Sequence, residues 1–334
     1  MRRFCGVLLL CIGLGCTGKP VQYKQVFFRM DTVSEVTVLL EKNQKPAPIW
    51  HAIDSLMLDW QERFSVTGKK SEVAVLNNRP LQEMPVSPSM AKLIALALRY
   101  GDSLDAGFDL TILPVKEVWG FGENAPDSMP LPDSAHVQAA LKRVSYKNVS
   151  LNAAGDSVIF HSPDTRIDVG GIAKGCVLAE IAGMLDRRGV RQYLVVAGGD
   201  IVARGKRPDG NPWLIGVQHP RNPDEYLATL PLKSGASVVT SGDYERFRIV
   251  DGKRYHHIFN SHTGQTCLEN QSVTIYAPDP VVADVLSTGL FCRPAKEIIA
   301  YVDKRPQLEC LVVDSTGAVY VSQNWNGRLV TGNK

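Results

Sequence analysis

Strand-like runs paired across short turn-forming segments most constrain what this chain can fold into. Asn152-Ala-Ala-Gly-Asp156 separates the runs 149–151 and 157–161, Asp251-Gly252 separates 247–250 and 255–259, and Ser315-Thr-Gly317 separates 311–313 and 319–321. Asn, Asp and Gly tolerate the left-handed backbone of tight turns, so each pair predicts two antiparallel neighbours. Further strand-like runs lie at 33–40, 193–196, 213–218, 228–232, 237–239 and 272–276. Ile49, Ile53, Leu56, Met57 and Trp60 recur at helical spacing and predict an amphipathic helix over 47–63. Ser87-Pro88 reads as an N-cap with proline in the first turn, opening a helix to about residue 104. Other helices are expected near 134–143, 173–188, 280–291 and 294–303, while 123–134 is a Pro-, Asp- and Ser-rich loop. Isolated helices among hairpins predict an α+β fold rich in antiparallel sheet with flanking helices, not a doubly wound parallel sheet.

The first residues read as an address. Arg2 and Arg3 precede an apolar run from 4 to 14, too short to span a bilayer, and Gly15-Cys16 follows. That pattern predicts a signal peptide over 1–15, with Cys16 acylated as in a lipoprotein. The expected product is anchored to membrane lipid through Cys16 in a bacterial cell envelope, facing the periplasm. A tether is expected over 16–26 and a folded body over 27–334. Cleavage removes two basic residues and no acidic one, so the net charge falls from +3 to +1. Such a balance offers no general attraction for nucleic acid. Of seven cysteines, Cys176, Cys267, Cys292 and Cys310 would remain for the body besides Cys16. No CxxC supports zinc. Export permits disulfides, but pairing does not follow from the spacing, and four buried free thiols are the expectation.

Four clusters set glycines beside polar groups at the edge of an apolar element. In Asp105-Ala-Gly-Phe-Asp109, Gly107 allows close backbone approach, Phe108 offers a flat apolar face and Asp109 an acceptor; a plain turn with a core phenylalanine fits equally. Asp168-Val-Gly-Gly-Ile-Ala-Lys-Gly175 runs into a helix, where free N–H groups and Lys174 suit an anion, or simply make a glycine-rich turn. It is not a P-loop, since no Gly-Lys-Ser/Thr is present. Thr240-Ser-Gly-Asp243 is followed by His256, His257 and His262. Strand alternation lets at most one of His256 and His257 line a given pocket; a neutral imidazole suits general-base work, but a hydrogen-bonded structural role is the alternative. Finally, Asp284 and Thr288 fall four apart on a helix with Ser287 beside them. One carboxylate and one hydroxyl are about what Mg²⁺ takes when phosphates complete its shell; a solvated Asp and a back-bonded Thr would look the same.

Taken in order, these clusters resemble the ApbE family of flavin transferases. The resemblance spans most of 27–325 and rests on Met30-Asp-Thr32, Ser71-Glu-Val-Ala-Val-Leu-Asn77, Ala106-Gly-Phe-Asp109 and the stretch 168–175. It continues through Gly198-Gly-Asp200, Thr240-Ser-Gly-Asp-Tyr244, His257-Ile258, Thr263-Gly264 and Ala283-Asp284 to Thr288. It implies Mg²⁺-dependent transfer of FMN from FAD to a threonine hydroxyl of an acceptor protein, such as a subunit of a membrane redox complex, with release of AMP. It further implies that Met30, Gly107, Phe108, Asp109, Asp168, Lys174 and Ile258 contact FAD. The Gly171 carbonyl, Asp284 and Thr288 would hold the metal, and His257 would take the threonine proton. Departures from the family pattern are Asp31 for glycine, Asn260-Ser261 for Asp-Pro, Thr67 where many relatives carry a flavin-stacking aromatic, and Ser287 where some carry another acid. An FAD pyrophosphatase yielding FMN and AMP, and a non-catalytic flavin-binding lipoprotein, remain the alternatives.

Overall fold

The computed structural model describes residues 19–30, 32–66, 68, 71–79, 82–122 and 129–330. The expected signal peptide, Cys16, Asp31 and Thr67 therefore lie outside the described residues. The chain opens with strands β1 (Val21–Arg29) and β2 (Thr32–Leu40), then helices α1 (Ala47–Phe64) and α2 (Glu72–Asn77). Strand β3 (Glu83–Pro85) and helices α3 (Pro88–Ser103), α4 (Leu113–Val118) and α5 (Ser134–Leu141) follow, then β4 (Val149–Leu151), β5 (Ser157–Phe160) and α6 (Gly170–Arg187). Next come β6 (Gln192–Ala197), β7 (Asp200–Arg204), β8 (Trp213–Gln218), β9 (Tyr226–Leu232), β10 (Ser237–Gly242), β11 (Phe247–Val250), β12 (Lys253–His256) and β13 (Asn270–Ala277). Helices α7 (Pro280–Gly289) and α8 (Ala295–Asp303) and strands β14 (Glu309–Asp314), β15 (Val319–Val321) and β16 (Arg328–Leu329) complete the order.

Eight strands form the main sheet in the order β1-β2-β6-β7-β10-β13-β14-β15, and their pairings are antiparallel. Alternation along each strand sends side chains into two different cores. Val36, Val38, Val202, Val273, Ile275 and Val312 join the helix-covered core, with residues of α1, α3, α6 and α7. Leu39, Ile201, Ala203, Val238 and Tyr276 point to the opposite face, where Trp213, Ile215, Leu230 and Leu232 of the β16-β9-β8 sheet cover them. Strand β13, buried along its whole length, is the spine between these two cores. The architecture is the α+β, antiparallel-rich one that the hairpins and isolated helices predict.

Most expected elements form within a few residues of their expected limits, and their caps show why. The Ser87 side chain accepts from the Met90 N–H, with Pro88 in the first turn of α3. Three differences stand out. The expected tether over 16–26 ends early: from Val21 the chain is strand, with all nine residues of β1 registered on β2. Only Phe27 of β1 is buried, so ladder hydrogen bonds hold it as an edge strand, which no apolar pattern announces. Helix α6 starts at Gly170 rather than 173, and β12 ends at His256. The expectation of four free thiols is corrected: Cys267 and Cys292 form a disulfide, whereas Cys176 and Cys310 are free. The fold brings together two cysteines 25 residues apart, with Cα atoms 5.0 Å from each other, inside the usual span of a disulfide.

Candidate functional site

One end of the main sheet gathers the polar clusters. Residues Gly198 and Gly199 join β6 to β7 with φ of 56° and 90°, the left-handed backbone a two-residue hairpin requires. A Cβ on Gly198 would sit 2.5 Å from Thr32 Oγ1, so the β6–β7 turn lies against the β1–β2 turn. Met30 occupies that turn at φ 56°, its N–H held by Gln61 Oε1 at 2.7 Å, its side chain half-buried against the helix-covered core. Asp200 follows the glycines, 1% exposed, and ion-pairs with the Lys174 ammonium.

Lys174 projects from the first turns of α6, which pack on α7 without room for a side chain between them. A Cβ on Gly175 would lie 2.7 Å from the Pro280 carbonyl oxygen, 2.8 Å from Val281 Cα and 2.9 Å from Asp284 Cβ. The Gly175 N–H, which an α-helix directs at the Gly171 carbonyl, donates to Asp284 Oδ2 at 2.7 Å. A Cβ on Gly171 would meet Thr288 Cγ2 at 3.4 Å and Phe108 Cε2 at 3.0 Å. Gly171 and the Asp284–Thr288 pair, far apart in sequence, therefore share one corner. Ser241 of β10 closes it, its Oγ 2.9 Å from Ser287 Oγ and 3.1 Å from Thr288 Oγ1.

The electrostatics of this corner favour a cation. Asp284 is 2% exposed; burial pushes its carboxyl up, Lys174 draws it back and Asp200 adds to the rise. Burial likewise raises Asp200 against the pull of Lys174, and raises Glu245, which feels both. Burial alone would lower the Lys174 ammonium, but Asp200 and Asp284 hold it above its ordinary range. One lysine thus serves three carboxylates, which would all ionise more readily beside a divalent ion. Among the described residues no three His, Cys, Asp or Glu side chains form a metal-ligating group. A carbonyl, one carboxylate and one hydroxyl instead provide hard oxygen donors suited to Mg²⁺ that keeps substrate phosphates and water as its other ligands. The residues fit that ion.

Asp168 belongs to the same α6 entrance but faces a different partner. Its Oδ2 pairs with Lys116 of α4 and its Oδ1 accepts from Gly170 N–H at 2.7 Å. Burial would raise this carboxyl, but the Lys116 charge and hydrogen bond, the Gly170 N–H and the Arg246 charge together outweigh it and hold Asp168 below its ordinary value. Asp168 and Lys174 are thus members of two separate ion pairs.

The loop before α4 is held by backbone contacts. Asp105 and Ala106 have φ of 51° and 55°. His262 Nε2 bonds the Asp105 carbonyl at 2.8 Å, and Ser261 Oγ bonds that of Ala106. A Cβ on Gly107 would lie 2.5 Å from the Gly289 carbonyl oxygen, so glycine is what lets this loop touch the end of α7. Phe108, 5% exposed, lies against Gly171 and Gly289 and backs the cation corner. The Asp109 carboxylate accepts from Thr111 N–H at 2.7 Å, Thr111 Oγ1 at 2.6 Å and Tyr146 N–H at 2.9 Å; its oxygens hold the loop together.

The adjacent histidines separate as alternation predicts. His256 is 2% exposed; its Nε2 donates to the Cys267 carbonyl and its Nδ1 accepts from the Ile258 N–H at 3.3 Å. This ring is satisfied on both nitrogens. His257, just past the end of β12, is half-buried. Its Nδ1 lies 3.2 Å from the Arg246 carbonyl oxygen. A carbonyl only accepts, so Nδ1 carries the proton and Nε2 keeps a lone pair. Burial, then the charges of Arg246 and Lys116, hold His257 well below the ordinary imidazole value, so it is neutral at pH 7 and able to accept a proton. Ile258 is buried in the helix-covered core, which it shares with Phe108.

Sequence reasoning assigned no role to Lys116, Asp200, Ser241 or Glu245. Asp200 and Ser241 stand inside motifs already singled out, whereas nothing local marks Lys116.

Fold and site define a class: an α+β protein that gathers hard oxygen donors, buried carboxylates and one lysine at a glycine-rich helix start. Comparison with known proteins narrows the class. The ApbE family model matches residues 30–312. The FAD:protein FMN transferase of Salmonella typhimurium is 31% identical over 67% of this chain and 65% of its own length. That of Escherichia coli strain K12 is 29% identical over 89% of each chain. The crystal structure of the ApbE protein from Thermotoga maritima superposes with a TM-score of 0.82 at 33% identity, covering 91% of this chain and 97% of its own. The chain belongs to the ApbE family.

Proposed function

We propose that this protein is a FAD:protein FMN transferase that joins FMN to a threonine hydroxyl of an acceptor protein and releases AMP. The observation that carries this reading is the α6–α7 contact, which sets the Gly171 carbonyl, Asp284 and Thr288 in one corner beside Lys174. The relatives' names supply the substrates. Magnesium held by Gly171, Asp284 and Thr288 would neutralise and align the pyrophosphate oxygens of FAD. His257 Nε2 accepts the threonine proton as the hydroxyl oxygen bonds to the FMN phosphorus; the phosphoanhydride bond breaks and AMP departs with its electrons. Lys174 balances charge at the pyrophosphate, and the Lys116–Asp168 pair fixes the α6 entrance. Met30, at the neighbouring hairpin tip, would touch the flavin. Lipid anchoring through Cys16 on the periplasmic side is part of the same proposal, and the Cys267–Cys292 disulfide supports an oxidising compartment.

The test is incubation of the protein with FAD, Mg²⁺ and a threonine-bearing acceptor protein, followed by mass spectrometry of the acceptor. An FMN adduct on threonine together with AMP is expected. Free FMN and AMP without an adduct would make the protein a pyrophosphatase, and no AMP at all would leave only flavin binding. Asp284→Ala should abolish AMP release; unchanged release would overturn the metal assignment.

A further inference from the structure

The Cys267–Cys292 bond ties the segment that follows the two histidines to the turn that follows α7. Cys267 grips both neighbours of His257: its N–H donates to the Ile258 carbonyl at 3.1 Å, and its carbonyl accepts from the His256 ring. Cys292 follows Phe291, whose N–H donates to the Thr288 carbonyl at 3.2 Å. The Phe291 ring meets that of His256 edge-on, with centroids 5.5 Å apart. The bond therefore runs from the segment carrying the base to the end of the helix carrying Asp284 and Thr288. Asn270 bridges the same junction without covalent help, its Nδ2 donating to the carbonyls of Phe291 at 2.7 Å and Arg293 at 2.8 Å.

We propose that this disulfide is a positioning crosslink: it sets His257 against the Asp284–Thr288 corner, so that phosphoryl transfer, far more than FAD binding, depends on its oxidised state. The inference rests on the flavin-transfer reading above. Of the expected FAD contacts, Lys174 and Met30 are held by α6 and by a sheet turn, which the bond does not tie; Ile258 is the one it touches directly, through the Cys267 N–H. With the bond open, Asn270 and the His256–Phe291 contact keep the two segments adjacent but no longer fixed. A displacement of about 1 Å between a base and its reacting centre is enough to cost ~10²-fold in rate. Opening the bond with a dithiol transfers two electrons and two protons to the cysteines, and the dithiol closes to its own disulfide.

The experiment compares three forms of the full chain: oxidised, dithiol-reduced, and the double substitution Cys267→Ala with Cys292→Ala. FMN transfer (kcat) and FAD affinity are measured at a temperature where near-UV circular dichroism is native. Expected are a kcat lowered ~10-fold or more in the reduced and substituted forms, FAD affinity changed far less than kcat, recovery on reoxidation, and no response of the double variant to dithiol. Full kcat after the bond is opened overturns the proposal. So does a fall in kcat and FAD affinity together that merely follows the unfolded fraction. Should the double variant not fold, the reduced wild-type chain decides by the same two quantities. Failure of the oxidised chain to transfer FMN overturns the flavin-transfer reading instead, so the two failures are distinguishable.

Discussion

Lys174→Met removes the ammonium from the centre of the acidic corner while keeping most of the side chain's bulk. Asp200 is then left 1% exposed without its ion-pair partner. Stripping one member from a fully buried pair costs about 3–5 kcal/mol. The Lys174 side chain is 38% exposed, so water screens part of the interaction and roughly 2–3 kcal/mol is the expected loss. Asp200→Asn relieves the buried charge, and the double substitution Lys174→Met with Asp200→Asn should recover most of the loss. The coupling between the two sites is therefore expected at about 2 kcal/mol, read from a double-mutant cycle. Urea unfolding provides the assay: with m near ~3 kcal/mol per molar, the single variant's midpoint should fall by roughly 0.7–1 M. Strict additivity, with the double variant losing as much as the singles summed, would show that the pair is not the structural unit described. FAD affinity separates the functional share: it should fall in Lys174→Met and stay low in the double variant, because restoring stability does not restore the cation.

Four further outcomes follow from the geometry. Gly175→Ala drives a methyl into backbone and Cβ atoms of α7 less than 3 Å away; a loss of about 1–3 kcal/mol should accompany weakened Mg²⁺ dependence, and wild-type values for both would contradict the contact. His257→Ala should lower transfer by ~10²–10⁴-fold with FAD affinity retained, whereas His256→Ala should mainly destabilise, by roughly 2–4 kcal/mol, readable as a lower melting temperature; the two variants exchanging signatures would reverse the facing. Because desolvation holds both imidazoles below their ordinary value of 6.5, the unfolded chain binds protons more readily. Stability contributed by the neutral rings is complete above pH 6.5 and is lost as pH falls below it, which denaturation midpoints at pH 5 and 8 would check. Opening the disulfide, with its sequence separation of 25 residues, should cost about 3.5 kcal/mol and lower the melting temperature by roughly 5–10 °C; a smaller shift would mean that the noncovalent bridge through Asn270 already closes the loop.

What the sequence made legible follows the strength of local signals. Helix α1 shows an unbroken apolar stripe, and α3 has both a Ser cap and a first-turn proline, so both could be read from the residues alone. Helices α2 and α4 have six residues each, too few for a period to emerge, and α4 carries Pro114 in its first turn besides. Strand β7 directly follows two glycines that suggest only a turn. Strand β1 has a single buried side chain; its place comes from the β2 ladder, and backbone hydrogen bonds leave no mark in a list of side chains.

The same reasoning separates what the motifs reveal of the site from what they hide. A motif tells which residues cluster, because glycines beside a helix start restrict the local backbone wherever they occur. It does not tell which charges pair, because pairing is decided by sheet register and helix phase. Asp168 and Lys174 sit in one motif and look like partners. Helix α6 begins at Gly170, and the turn between them sends Lys174 towards Asp200, which the β6–β7 hairpin delivers through the register of Ala197 on Asp200. Asp168 is left facing Lys116, on a helix with no sequence signature. A substitution at Asp168 should therefore disturb the α4 side of the entrance and leave the Lys174–Asp200 pair intact. Glycine-rich motifs of this kind are thus better read as maps of where backbones approach than as lists of interacting side chains.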